Sequence, residues 1–319
     1  MTACMRVSCP SFAKKKRLRY IPHIAFLLFC QFLVGESSYS GIGKSKSDKL
    51  EGISLPVIDL DKNSTSIPKI QIISNDWGTG YPEDISAVLK SVAEIMFPLG
   101  GKPPYSNIMV GRSENGPIVL YKRGSKGQYL INLNSKDRYW CQYAFQFSHE
   151  IGHILCGFKD GDPSNLWFEE TLGEVASLSS LLRMEEKWKH SAPYPHWKAY
   201  APEFTKYARE RKRKYKDQIP SNLKKWFHEN QKVLAKHPVD RPRNAALAIQ
   251  LLPRFENSSV GWTTCAYLND QKNKESKSFE SYLYDWYRSC PHTEQKGFVK
   301  KIAAEFGITL ASMRHSSED

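Results

Sequence analysis

Residues 146–158 read QFSHEIGHILCGF and contain the order H-E-x-x-H at His149, Glu150 and His153. Residues four apart share one face of an α-helix, so both imidazole rings can point at one position. Neutral imidazole binds zinc at about 2.0–2.1 Å, and zinc lowers the pKa of a coordinated water to about 7. Glu150 could then accept a proton from that water without binding the metal. The stretch predicts a helix with a zinc site; the alternative is an amphipathic helix with two partly exposed histidines.

A second stretch, NLWFEETLGEVASL at 165–178, offers a third ligand among Glu169, Glu170 and Glu174. A catalytic zinc usually has three protein ligands and one open position. Acids in an apolar helix need partners when they are buried, and a metal would stabilise Glu170. Glu174 could accept a hydrogen bond from the second ring N–H of a ligating histidine. The alternative is a set of solvated acids that favour the helix dipole, which suits Glu169 better than Glu174.

HEIGH followed by WFEETLGEVAS resembles the gluzincin group of zinc metallopeptidases. The layout is also similar to that of bacterial exported proteins that carry both motifs. The resemblance covers roughly residues 115–185 and implies a zincin-like α+β fold. It implies zinc ligation by His149, His153 and Glu170, with Glu150 as the general base and Glu174 as the hydrogen-bond partner of the first histidine.

The chain departs from several patterns of related peptidases. Glu169 stands where many gluzincins have Asn. The aminopeptidase motif Gly-x-Met-x-Asn is absent, so N-terminal exopeptidase specificity is not supported. Cys156 and Lys159 occupy positions that are Gly and His in metzincins. Candidates for a donor to the developing oxyanion each have packing or surface exposure as the alternative role: Tyr194, His196, Tyr200, Tyr207 and His237.

The hydrophobic pattern before the motif predicts a small N-terminal sheet. Alternation predicts strands at Ile70–Ser74 and 107–111, and the turn RGSKG predicts a hairpin over 116–134. Helical spacing predicts a helix over 82–97. In zincins an edge strand pairs with an extended substrate, and 117–121 or 129–133 could take this role.

Capping residues predict the bounds of the two site helices. Asn134 or Ser135 is the expected N-cap of the first helix, which runs to Leu155 before Gly157. Asp162, with Pro163 at the first helical position, predicts a second helix over about 163–188. From 189 onward the sequence predicts mainly helices.

The chain is predicted to divide into four parts. KKKRLR at 14–19, the apolar run at 21–35 and the small residues after it are typical of a secretory signal peptide, here 1–37. The alternative is an uncleaved N-terminal anchor. Residues 38–52 predict a flexible linker, 53–188 the zincin-like catalytic core, and 189–319 a mainly helical C-terminal subdomain. Export to the periplasm or the medium follows, with membrane anchoring through 21–35 as the alternative.

Composition fits a globular protein, with 40% hydrophobic and 25% charged residues. The net charge of +13 could favour a membrane or a polyanionic wall, whereas nucleic acid is not expected because no recognition motif accompanies the charge. After export a disulfide is permitted, and Cys265 with Cys290 is the plausible pair. Cys141 and Cys156 are expected to be small buried side chains.

The sequence thus predicts an exported zinc peptidase with Zn²⁺ as cofactor and a peptide or protein as substrate. Glu150 would assist attack of a zinc-bound water on the peptide carbonyl. Two alternatives remain open: an inactive zincin-fold module that binds a partner or the wall, and a zinc hydrolase of a non-peptide substrate.

Overall fold

The structure of the chain, a computed structural model, describes residues 67–73, 76–271 and 275–310. Its four-stranded sheet has the order β1-β2-β4-β3. The first three strands in this order are parallel, and β3 pairs with β4 antiparallel at the edge. The strands are β1 (Ile70–Ile72), β2 (Ile108–Arg112), β3 (Ile118–Leu120) and β4 (Tyr129–Leu133). The predicted strands and hairpin are confirmed, although Ser74 lies outside the described residues.

Helices make up most of the remaining described chain, and the fold is α+β with a helical C-terminal part. None of the helices in the described ranges has the length and apolar character needed to cross a bilayer. The predicted leader and linker, 1–52, lie outside the described residues. The helices are α1 (Pro82–Met96), α2 (Trp140–Leu155), α3 (Leu166–Ser191), α4 (Ala201–Lys214), α5 (Leu223–Lys236), α6 (Arg241–Glu256), α7 (Gly261–Cys265), α8 (Phe279–Ser289) and α9 (Thr293–Glu305).

Helix α2 begins at Trp140, so the predicted N-cap at Asn134 or Ser135 is wrong. The backbone N–H groups of Asn134 and Ser135 instead donate to Gln146 Oε1, at 3.1 and 3.2 Å. Asp137 adopts a positive φ of 55°. Tertiary hydrogen bonds therefore hold this segment as a loop. The predicted end is confirmed, because Gly157 follows the helix at φ +91°.

Helix α3 begins at Leu166 after Asn165, so the predicted cap at Asp162 with Pro163 at the first helical position is also wrong. The Asp162 carboxylate accepts from Ser164 N at 2.8 Å and from Asn165 Nδ2 at 2.7 Å, which closes a turn before the helix. It also accepts from Lys277 N at 3.2 Å. Asp162 therefore ties the loop to a distant segment.

Helices α2 and α3 cross closely at two glycines. A Cβ on Gly152 would lie 3.0 Å from Gly173 Cα and 3.1 Å from Ala176 Cβ. One turn further along α3, Ser177 Oγ donates to the backbone oxygen of Phe145 at 2.8 Å. The missing side chains and this hydrogen bond fix how closely the two site helices approach.

The C-terminal helices complete the burial of α3. Helix α3 packs against α2, α4 and α6. The Phe168 ring lies 5.2 Å from Phe279 and 6.0 Å from Trp286, both on α8. The helices after residue 189 therefore cover the helix that carries the acids of the second motif.

The expected disulfide between Cys265 and Cys290 is not formed. All four cysteines in the described part of the chain are free and buried. Cys265 Sγ donates to Gly261 O at 3.5 Å, and Cys290 Sγ donates to Trp286 O at 3.2 Å, so each thiol contacts a backbone oxygen four residues earlier. Cys141 and Cys156 are small buried side chains, as predicted.

The close crossing makes a stability prediction. Gly152→Ala should lower the free energy of unfolding by about 1–3 kcal/mol, because the added methyl group overpacks the contact with Gly173. Urea denaturation measures this change.

Gly297→Ala is the matched control. It also lies in a helix, but a Cβ there meets nothing within 4 Å. Replacing this glycine should raise stability by about 0.5–1 kcal/mol through helix propensity. Equal stability of the two variants would contradict the close crossing.

Candidate metal centre

His149, His153 and Glu170 converge between α2 and α3. One ligand atom from each residue lies within 4.8 Å of the others. Glu170 Oε2 is 3.4 Å from His149 Nε2, and Glu170 Oε1 is 3.8 Å from His153 Nε2. Ligand atoms around a tetrahedral zinc lie about 3.3 Å apart, as the zinc–ligand distances require. The structure thus brings together the three residues that the sequence predicts as ligands, at separations close to those of a metal site.

Gly173 gives the first histidine its place. A Cβ at this position would lie 2.8–2.9 Å from the Cε1, Nδ1 and Nε2 atoms of His149. The imidazole ring therefore packs directly on the α3 backbone, three residues after Glu170. Gly173 therefore determines how closely His149 approaches α3, as well as how closely the two helices approach each other.

Glu169 contacts the site in a way that the sequence did not predict. The alternative of a solvated first-turn acid is excluded for it, because Glu169 is 2% exposed. Its Oε1 lies 2.8 Å from His153 Nδ1, and its Oε2 accepts from Asn269 Nδ2 at 2.6 Å. A carboxylate on the second ring nitrogen orients a ligating histidine. The signal in the sequence was the position of Glu169 next to Glu170, where many gluzincins have Asn.

Glu174 differs from its prediction. It is 4% exposed, and its Oε1 pairs with Arg211 Nη2 of α4 at 3.5 Å. The Arg211 guanidinium also lies 4.4 Å from the centre of the Phe145 ring, one turn before His149. The carboxylate that accepts a hydrogen bond from a site histidine is that of Glu169, and the donor is His153 Nδ1. The sequence predicts Glu174 and the first histidine for this contact.

Glu150 lies beside the ligands and under the sheet edge. It is 3% exposed, and its Oε2 accepts from the Val119 N–H of β3 at 2.6 Å. Burial raises the pKa of Glu150, although the nearby His149 and His153 lower it. Of the two predicted edge strands, β4 lies between β2 and β3, so only β3 has an open edge. The candidate base therefore touches the one predicted strand that could take a further strand.

The carboxylates around His153 favour a positive charge on its ring. Burial alone lowers the pKa of His153. The hydrogen bond to Glu169 and the charge of Glu170 together outweigh that effect and raise the pKa to about 10. With Nδ1 of His153 held by Glu169, its Nε2 faces the Glu170 carboxylate. Without a metal, this raised pKa keeps a proton on Nε2 at neutral pH, and a bound metal ion would take the place of that proton. Two imidazole nitrogens and one carboxylate fit zinc.

The predicted oxyanion donors have different surroundings. Tyr200 OH lies 3.3 Å from Cys141 Sγ, and His196 stacks on Tyr194 at 5.8 Å. His237 follows the end of α5. The Tyr207 ring lies 6.0 Å from Phe145, on the α2 face that carries His149. Tyr207 thus contacts α2 one helical turn before His149.

Tyr121 is a tyrosine near the site that the sequence did not single out. It follows β3 two residues after Val119 and is 44% exposed, with its ring 5.4 Å from Phe158. Burial of its hydroxyl and the charges of Glu169, Asp160 and Glu170 raise its pKa. The Tyr121 hydroxyl group therefore remains protonated and can donate.

Comparisons of the chain with protein-family models, curated proteins and solved structures found no match.

The Glu174–Arg211 pair makes a prediction that separates its two assignments. Arg211→Met should cost about 1–3 kcal/mol of unfolding free energy, because it removes the cationic partner of a buried carboxylate. Adding Glu174→Gln should recover part of this loss. Urea denaturation of the three variants gives the coupling.

The zinc affinity of Glu174→Gln is the accompanying measurement. A value close to that of the unsubstituted protein is expected from the observed pairing. Glu169→Gln is expected to weaken zinc binding, because Glu169 contacts His153. An equal loss of zinc affinity in Glu174→Gln would return Glu174 to the role predicted from the sequence.

Proposed function

We propose that the protein is a zinc-dependent peptidase with a zincin-like catalytic core. The observation that carries the proposal is the convergence of His149, His153 and Glu170 with Glu150 next to them. Two helices with little sequence in common supply this set, and their crossing depends on glycines at the contact. An amphipathic surface helix does not require such an arrangement, because its histidines would face water.

Each residue has a defined task in the proposed reaction. The Nε2 atoms of His149 and His153 and the carboxylate of Glu170 would hold the ion. Zinc bound here would lower the pKa of a coordinated water to about 7 and polarise the substrate carbonyl. Glu150 would take the proton during attack and deliver it to the leaving amine. Its burial favours the protonated form, which makes the carboxylate a stronger base.

A peptide substrate is favoured by the position of β3. Within the described residues no strand pairs with its outer edge, and the Val119 N–H of that edge contacts Glu150, so an extended chain paired to β3 would pass beside the base. The proposal includes export through the segment 1–37, with anchoring through 21–35 as the alternative, and membrane or wall association through the basic surface. Nucleic acid has no part in it.

A binding module without turnover is the second candidate. The observation that favours it is the 2.6 Å hydrogen bond from Val119 N–H to Glu150 Oε2, which engages one of the two oxygens of the candidate base. A zinc hydrolase of a non-peptide substrate shares the metal chemistry and is separated from the first proposal by substrate alone.

Metal analysis with substitution of the base tests the peptidase. The purified protein should contain one zinc per chain. Glu150→Gln should keep that zinc while cleavage of a peptide library falls by at least about 100-fold, because a general base contributes about 100- to 10,000-fold. Plasma emission spectrometry and mass spectrometry of the library provide the readouts.

Glu280→Gln, an exposed glutamate on α8, is the control and should retain activity. His153→Ala should lose the zinc. A protein without stoichiometric zinc would refute the proposal, and a zinc-loaded protein that cleaves nothing would support the binding module.

A further inference from the structure

A continuous line of hydrogen bonds runs from the metal centre into the C-terminal helices. His153 Nδ1 lies 2.8 Å from Glu169 Oε1, and Asn269 Nδ2 donates to Glu169 Oε2 at 2.6 Å. Tyr282 OH of α8 donates to Asn269 Oδ1 at 2.9 Å. Glu169, Asn269 and Tyr282 are 2%, 8% and 5% exposed, so bulk water has little access to these groups. Residues more than a hundred positions apart thus contribute to one polar line.

The donors and acceptors along this line of hydrogen bonds can be arranged in only one way. A carboxylate only accepts, so the Nδ2 end of the Asn269 amide faces Glu169, and Oδ1 is left to accept from the Tyr282 hydroxyl. The amide nitrogen then donates to the carboxylate, which accepts on both oxygens. His153 Nδ1 must therefore carry a hydrogen, so the tautomer that can bind an ion once the Nε2 proton has left is the one with its lone pair on Nε2, which faces Glu170. A histidine ligand needs this tautomer.

The surroundings hold Asn269 in place. A Cβ on Gly161 would lie 2.6 Å from Asn269 Oδ1, so the loop backbone packs on the amide. The next residue, Asp270, accepts from Lys102 at 2.6 Å and also pairs with Lys159. Partial burial raises the pKa of Asp270, but the two lysines lower it more, so this clamp is ionised at neutral pH.

We propose that Asn269 and Tyr282 are positioning residues of the metal centre, which orient Glu169 and thereby present His153 Nε2 to the ion. This inference rests on the proposed zinc site. It makes the C-terminal helices part of that site, although the resemblance in sequence ends before them. Neither residue touches the metal, and both act through Glu169.

Tyr282→Phe is the informative variant. The Tyr282 ring packs at 6.3 Å from Phe279 and 6.5 Å from Phe168, and phenylalanine keeps both contacts. Asn269→Asp is the stronger change, because it places a second carboxylate against Glu169. Tyr284→Phe, on the same helix with its ring 6.3 Å from Tyr287, is the matched control.

Zinc affinity by chelator competition and the visible spectrum of the cobalt-substituted full chain test the proposal. Asn269→Asp should weaken zinc binding about 10- to 100-fold, as loss of an outer hydrogen-bond partner does. Tyr282→Phe should weaken it about 2- to 10-fold, the equivalent of one net hydrogen bond. Both should alter the cobalt spectrum, which a change in packing alone would not move, and Tyr284→Phe should alter neither quantity.

The outcomes separate the two levels of inference. Unsubstituted protein that binds neither zinc nor cobalt overturns both the metal centre and the line that supports it. Normal metal binding in the unsubstituted chain, with unchanged affinity and cobalt spectrum in Tyr282→Phe, overturns the positioning role alone. Should Asn269→Asp fail to fold, Tyr282→Phe decides the question.

Discussion

The close contact between α2 and α3 is the constraint on which the rest of the molecule depends. Gly152 and Gly173 have no side chains to hold the helices apart, and His149 packs directly on the α3 backbone at Gly173. Such a contact is stable only when both helices are covered elsewhere. The sheet and α1 lie against α2, while α4, α6 and α8 cover α3. The small sheet and the large helical part are thus two covers for one helix pair.

Four glutamates are buried at this contact, and the fold gives each of them its own partner. An unpaired buried carboxylate is costly, so each requires a donor or a cation. Glu150 has the Val119 N–H, Glu169 has Asn269 and His153, and Glu174 has Arg211. Glu170 faces the Nε2 atoms of both histidines. The different partners explain why four similar side chains on two helices are expected to have four different roles.

Local pattern predicted the elements, and distant contacts determined what it missed. Spacing of apolar residues predicted α1 over 82–97 and the hairpin, because both depend on neighbours in the chain. The predicted start of α2 was wrong because the Gln146 side chain accepts a hydrogen bond from the backbone N–H of Asn134, which holds that residue in the loop before the helix. The role of Glu169 depends on Asn269, 100 residues away, which no local spacing reveals. The motif residues could be predicted as a set, since their geometry follows from helix periodicity.

The hydrogen bond between the edge strand and Glu150 links the two halves of the proposed reaction. Val119 lies opposite Ile131 in the antiparallel register, and its N–H points away from β4 to Glu150. In an antiparallel pair such outward groups recur at every second residue, and Pro117 has no N–H to offer. The Val119 N–H is therefore a group that an extended peptide would need on this edge. In the proposed reaction, a peptide paired there would therefore compete with Glu150 for this donor.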